Sequence, residues 1–207
     1  MKKKIILIGG GGHCCSVIDV IKSTNQYEII GIIDPKIDED QHDYNYLGDD
    51  SQILNCKSND VEFLITIGKI GPNNRRVELY EFLKNNNCKL AKVISPFAYV
   101  SRSARIGEGS IVMHHALVNS NVKIGNNCIL NTKSLVEHDS IIGHHSHIST
   151  ASVVNGGVEL GTDVFLGSHS TINLNVKICD EVSIASNSLV TKSIKQHGIY
   201  KGVPVNG

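Results

Sequence analysis

Six residues able to move protons or bind metal crowd into SLVEHDSIIGHHSHIST, residues 134–150: Glu137, His138, Asp139, His144, His145 and His147. Two chemistries suit such a set. A metal site needs three or four ligands converging within about 2 Å of one point. An imidazole beside a carboxylate suits proton abstraction instead, because the acid orients the ring and raises its basicity. His138 and Asp139 are neighbours in sequence and meet the second requirement directly. A third reading, solvated side chains on a repeated surface, remains open from the pattern alone.

What positions these residues is a six-residue repeat. From Val100 onward every sixth residue is aliphatic through Val190, an unbroken run of sixteen, and four places after each stands a small or aliphatic residue such as Ala104, Ser110, Ala116, Val122, Cys128 or Ser134. A period of six fits neither a helix nor an ordinary sheet face; it is the period of a hexapeptide β-helix. Three hexads make one triangular coil of a left-handed prism, so residues eighteen apart stack at about the strand spacing of 4.8 Å, and sixteen hexads predict a little over five coils. On this lattice His138 and His144 are both third in their hexads, His145 is fourth and His147 sixth. The histidines therefore spread around the prism, and no metal cluster is expected. His138 and Asp139 are expected together on one face, and His147 at a corner. Asn155, Gly156 and Gly157 lie one coil above Glu137–Asp139, leaving room beside His138; Asn119, Ser120 and Asn121 lie one coil below.

The first half has a different period. KIILIG, EIIGIID, VEFLITIG and KLAKVIS read as strands, with helices over the VIDVI stretch and NNRRVELYEFLKNN between them. Strands alternating with helices predict a Rossmann-like α/β domain over residues 1–96, with the all-β prism over 97–207. The α/β domain is expected to cover one end of the prism and the tail SIKQHGIYKGVPVNG the other. The cluster GGGGH followed by Asp34 resembles a dinucleotide fingerprint, which keeps a dehydrogenase among the alternatives, but in the frame Gly9, Gly11, Cys14 the third glycine is missing. A backbone nest at a helix N-terminus equally suits the diphosphate of a nucleotide sugar. Cys14 and Cys15 fall in that helix's first turn, where a thiol pKa can drop, although packing is the default for both.

Formal net charge is zero, which gives no reason to expect nucleic acid or an anionic membrane as partner. Six cysteines without C-x-x-C spacing fit free thiols in a reducing cytosol. The opening MKKKIILIGGGG has too short an apolar run for a signal peptide, and no segment reaches bilayer-spanning length, so a soluble cytoplasmic protein is expected.

With these residues in view, the chain resembles the bacterial sialic-acid O-acetyltransferase and UDP-amino-sugar N-acetyltransferase family (NeuD/PglD-like) over nearly its whole length. The resemblance rests on GGGGH (9–13), IIDP (32–35), TIG (66–68), VEHD (136–139), IGHHSHIST (142–150), FLGSHSTI (165–172) and GVP (202–204). It implies an acetyl-CoA-dependent enzyme, a homotrimer with active sites between neighbouring prisms, and no metal. His138 would be the general base and Asp139 its partner. His147, Gly167, Ser168 and Ser186 would contact acetyl-CoA, while Gly11, Gly12, His13, Asp34, Pro35 and Gly68 would line the sugar-nucleotide pocket. His114, His115, His144, His145 and His169 are left as surface or intersubunit residues. The implied reaction is N-acetylation of a UDP-linked 4-amino-4,6-dideoxy sugar for surface glycan synthesis, a choice resting on His13. The alternative is O-acetylation of sialic acid or a related nonulosonate, for which N-T-K-S-L-V-E-H-D, I-S-T and V-N-G-G-V speak. A trimeric sugar-binding scaffold without catalysis is the reading from another class.

Overall fold

The computed structural model describes residues 2–36, 43–70 and 75–205. Residues 73 and 74 of the second expected helix, and the last two of the tail, lie outside the described residues. The N-terminal part contains β1 (Lys3–Ile8), α1 (Gly12–Thr24), β2 (Tyr27–Ile33), β3 (Val61–Ile65), α2 (Arg75–Asn85) and β4 (Lys89–Leu90). Its four strands run parallel in the order β2-β1-β3-β4. Such strands are buried on both faces and so read as nearly continuous apolar runs, as KIILI and VEFLI do. The α1 residues Cys14, Val17, Ile18 and Ile21 pack on one face against Ile5, Leu7 and Leu64. The α2 residues Leu79, Tyr80 and Leu83 pack on the other against Ile6, Ile8 and Phe63.

The second part is a left-handed parallel β-helix of about six coils with faces of seven, six and five strands. The hexad aliphatics from Val112 to Val190 are all buried, with the fifth-place residues Ala116, Val122, Cys128, Val158, Val164, Val176 and Val182 filling the same core. Where the fifth place is serine, the hydroxyl bridges coils. Ser146 Oγ, for example, donates to Gly161 O at 3.2 Å and accepts from Val164 N at 3.1 Å, so the buried oxygen keeps its hydrogen bonds. Every fourth place from Gly109 to Asn187 has φ between 54° and 68°, and these residues form the corners. Asn, Asp, Gly and His recur there because they tolerate the left-handed region best.

Three expectations are corrected by this geometry. KLAKVIS is not one strand: Lys89–Leu90 closes the α/β sheet, while Val93–Ile94 already belongs to the prism, paired with Ile111–Val112. With a further strand at Gly198–Tyr200 this lengthens the prism beyond the counted hexads. The α/β part does not sit over the prism end. It lies along the outer side of the seven-stranded face, where α1 packs on Val93, Ile111 and Met113. Finally, the strands occupy hexad places six and one, so His138–Asp139 form a corner and His147 lies within a strand on a face, the reverse of the expected placement. Among the described residues no helix is long and apolar enough to cross a membrane.

Candidate active site

The corner between the six-stranded and five-stranded faces carries His138 and Asp139. Asp139 Oδ2 lies 2.8 Å from His138 Nδ1, and its Oδ1 accepts from Asn121 Nδ2, one coil below, at 3.0 Å. An ionised carboxylate only accepts, so Nδ1 carries the proton and Nε2 is left with its lone pair. The bond from His138, followed by that from Asn121, holds the Asp139 carboxyl below the usual carboxylate range, which keeps it ionised. The backbone at His138 is held by Glu137, whose Oε2 accepts from His138 N at 3.3 Å and from Asn119 Nδ2 at 2.8 Å. One coil above, Gly156 clears the ring: a Cβ there would lie 2.7 Å from both Cε1 and Nε2 of His138. The imidazole itself fills the place a side chain would take at Gly156, and the ring is exposed, with 53% of the side chain accessible.

His147 stands differently. It is 5% exposed, on the outer side of the seven-stranded face, and its Nδ1 donates to Lys69 O at 2.7 Å while Nε2 takes Asn131 Nδ2 at 3.1 Å. Burial pushes its pKa down to about 4, so the ring is neutral at pH 7. Ser168 and Ser186 stack on the corner after this face, with Ser168 Oγ 3.0 Å from Ser149 Oγ; Ser186 is exposed. Gly167 precedes them, and a Cβ there would approach Ser186 N to 2.5 Å.

In the α/β part the chain turns from β1 into α1 through Gly9–Gly12. Gly10 N donates to Asp34 Oδ2 at 2.6 Å, and Lys36 N donates to Asp34 Oδ1 at 2.7 Å, so the acid braces the glycine turn. Gly11 and Gly12 are exposed with open space around them, and Pro35 is exposed beside Asp34. His13 reaches under this turn to Gly68, where a Cβ would lie 3.6 Å from His13 Cβ. Burial, then the nearby Arg76 charge, then His147, lower the His13 pKa to about 3, and its Nε2 is buried without a hydrogen-bond partner. The fold therefore brings His13, Gly68 and His147 to one place. It leaves His138 on a different edge, separated from Ser168 and Ser186 by the six-stranded face.

Cys14 is packed, as expected by default: it is fully buried, and burial pushes its thiol pKa up to about 12. One further expectation needs correction. His145 and His114 are not free surface residues. His145 is 8% exposed against Tyr80, with ring centroids 5.1 Å apart, and His114 bridges Ser95 Oγ at 2.6 Å and Asp19 Oδ2 at 2.9 Å on α1. Residues absent from the sequence reading are Lys69, Asp163 and Arg76, all at the junction of the two parts. A signal existed for Arg76, which takes the first place of the buried α2 stripe completed by Leu79, Tyr80 and Leu83. Among the described residues no group of three or more His, Cys, Asp or Glu side chains is arranged to hold a metal ion.

Comparison with known proteins adds to this geometry. The PglD N-terminal domain family matches residues 4–83. UDP-N-acetylbacillosamine N-acetyltransferase of Bacillus subtilis (strain 168) is 29% identical over 114 residues, 54% of this chain and 51% of that protein, so the match spans about half of that curated relative's length. The acetyltransferase domain of PglB from Neisseria gonorrhoeae FA1090 superposes with a TM-score of 0.92 at 25% identity, covering 99% of each chain. PerB from Caulobacter crescentus, solved with CoA and GDP-perosamine, superposes at 0.89 with 28% identity over 98% of this chain and 96% of that one. Residues 4–83 thus match a PglD-type N-terminal domain, and the whole chain, with its hexapeptide-repeat prism, is similar to these acetyltransferases.

Proposed function

We propose that this chain is an acetyl-CoA-dependent acetyltransferase that N-acetylates a nucleotide-linked amino sugar, with a UDP-linked 4-amino-4,6-dideoxy sugar as its acceptor. The observation that carries this reading is the His138–Asp139 pair with Nε2 unengaged beside Gly156. The relatives support the donor and the acceptor class, since one was solved with CoA and GDP-perosamine and another is named for a UDP-linked sugar. In the proposed step the acceptor nitrogen, already deprotonated from ammonium to amine, attacks the thioester carbonyl. His138 Nε2 takes one of the two amine protons as the C–N bond forms, and the other stays on the product amide; the C–S bond then breaks, and the imidazolium returns the proton to the CoA thiolate. No acyl-enzyme is needed. His147, Gly167, Ser168 and Ser186 are assigned to acetyl-CoA, and Gly11, Gly12, His13, Asp34, Pro35 and Gly68 to the nucleotide sugar.

The separation of His138 from Ser168 and Ser186 supports a site shared between chains. The proposed assembly is a homotrimer in which His138 of one prism faces the acetyl-CoA residues of the next. Light scattering at micromolar concentration is expected to give three times the chain mass; a monomer would remove this site model. The six free cysteines support a reducing, cytoplasmic setting. The decisive test is an acceptor panel with acetyl-CoA, read by thiol release: UDP- and GDP-linked 4-amino sugars against free and CMP-activated sialic acids. Saturable turnover is expected with a nucleotide-linked amino sugar, and turnover confined to sialic acids would overturn the N-acetylation reading.

A further inference from the structure

The junction between the α/β part and the prism is built around one short segment. Residues 65–69 leave β3 and carry Gly68, where an added Cβ would come within 3.6 Å of His13 Cβ. Arg76 is 1% exposed, and among the described residues no carboxylate pairs with it. Its Nη1 donates to Ile65 O at 2.5 Å and to Ile67 O at 3.1 Å, while Nη2 and Nε reach the prism carbonyls of Gly109 and Asn127, both at 3.4 Å. Lys69 is 2% exposed and joins the prism at both ends. Its ammonium pairs with the Asp163 carboxylate and donates to Asp163 O at 3.0 Å, and its own carbonyl accepts from His147 Nδ1 at 2.7 Å.

Two buried cations are an expensive way to fasten two apolar surfaces, because each must be taken out of water. Apolar contact already exists between α1 and the prism at Val93, Ile111 and Met113. What directional bonds add is a fixed position, and while His114–Asp19 and Lys84–Glu108 cross the junction elsewhere, the two buried cations tie residues 65–69 to the prism. We infer that Lys69 and Arg76 are positioning residues that clamp the acceptor-binding segment to the acetyl-CoA prism, so that the sugar is held in register with the thioester. This inference rests on the proposed acetyl transfer and names how its two substrates are aligned. Misplacement of a reacting group by about 1 Å can cost around 100-fold in rate.

The test uses Lys69→Met, which keeps the stem and removes the ammonium, Asp163→Asn, which suits the left-handed corner, and the double variant. Amide exchange of peptides covering 65–70 is expected to speed up at least tenfold in Lys69→Met, with peptides from coils near Val154 and Ile172 unchanged. With the acceptor chosen from the panel, kcat is expected to fall about 10- to 100-fold, with the KM for acetyl-CoA within twofold of the parent. The double variant should lose no more than the worse single one, as members of one clamp do. Unchanged exchange at 65–70, additive losses, or a uniform loss that tracks the melting temperature would each overturn the clamp. A parent protein that acetylates nothing would count against the proposed reaction alone, since the exchange result decides the clamp without turnover.

Discussion

Replacing His138 by alanine is expected to lower acetyl transfer by about 10²- to 10⁴-fold, the range general-base catalysis supplies, while the prism stays folded. The side chain is exposed and lies outside the aliphatic core, so its loss leaves no cavity. His138→Gln tests the same point with a side chain of similar reach that cannot take up a proton at neutral pH. Asp139→Asn should be milder. It keeps the left-handed corner at φ 59°, which asparagine tolerates, but no longer fixes the Nδ1 proton by charge. Gly156→Ala completes the set. Its methyl would lie 2.7 Å from the imidazole, so the ring must turn away, and kcat is expected to fall at least tenfold with little change in melting temperature. Activity of His138→Ala within a few-fold of the parent at saturating substrates would remove the base assignment.

The six-residue lattice was readable because its signal is steric and redundant: every coil needs an aliphatic at the same inward place, and Val112 through Val190 all meet that need. The pairing of His138 with Asp139 was legible in their adjacency, and the placing of Gly156 against the ring followed from stacking at eighteen residues. The phase of the corner was misjudged, although the fourth places carry Asn121, Asn127, Asp139, Asp163, Asn175 and Asn187, residue types that accept positive φ. That polarity looked like surface decoration when it was backbone geometry. The junction was illegible for another reason. Lys69 and Asp163 are 94 positions apart, and an ion pair of that kind leaves no periodic trace. His145 read as a surface or intersubunit residue, and His147 as a ligand contact at a corner, because the outside of a prism is normally solvated. Here the α/β part covers the seven-stranded face and turns two surface histidines into packed, neutral ones.

That burial makes the junction acid-labile. Burial lowers the pKa of His147 to about 4, of His145 to about 4, where the nearby His144 adds to the effect, and of His13 to about 3, where the Arg76 charge adds. In the unfolded chain each titrates near 6.5. Since the folded values are depressed, the unfolded state binds more protons between pH 6.5 and 4. The stabilising contribution is complete above about pH 6.5 and is lost as the pH falls through the folded values. One group shifted from 6.5 to about 4 accounts for about 3 kcal/mol at the acid end. Three together are expected to lower the melting midpoint by around 10 °C between pH 7 and pH 5. Asp and Glu with ordinary pKa values stay mostly ionised over this interval, which isolates the histidine contribution. The first step should be loosening at the junction, where all three rings lie, because the prism core is aliphatic apart from Cys128, with Cys179 and Tyr200 at its margin, and thiols and phenols do not titrate between pH 7 and 5. His147→Asn keeps a donor near Lys69 O without a titrating ring and should flatten about a third of the slope. The check is thermal melting of parent and variant at pH 7, 6 and 5 at constant ionic strength. Equal slopes in the two proteins, or a parent midpoint that does not move, would show that these rings are not held neutral at the junction.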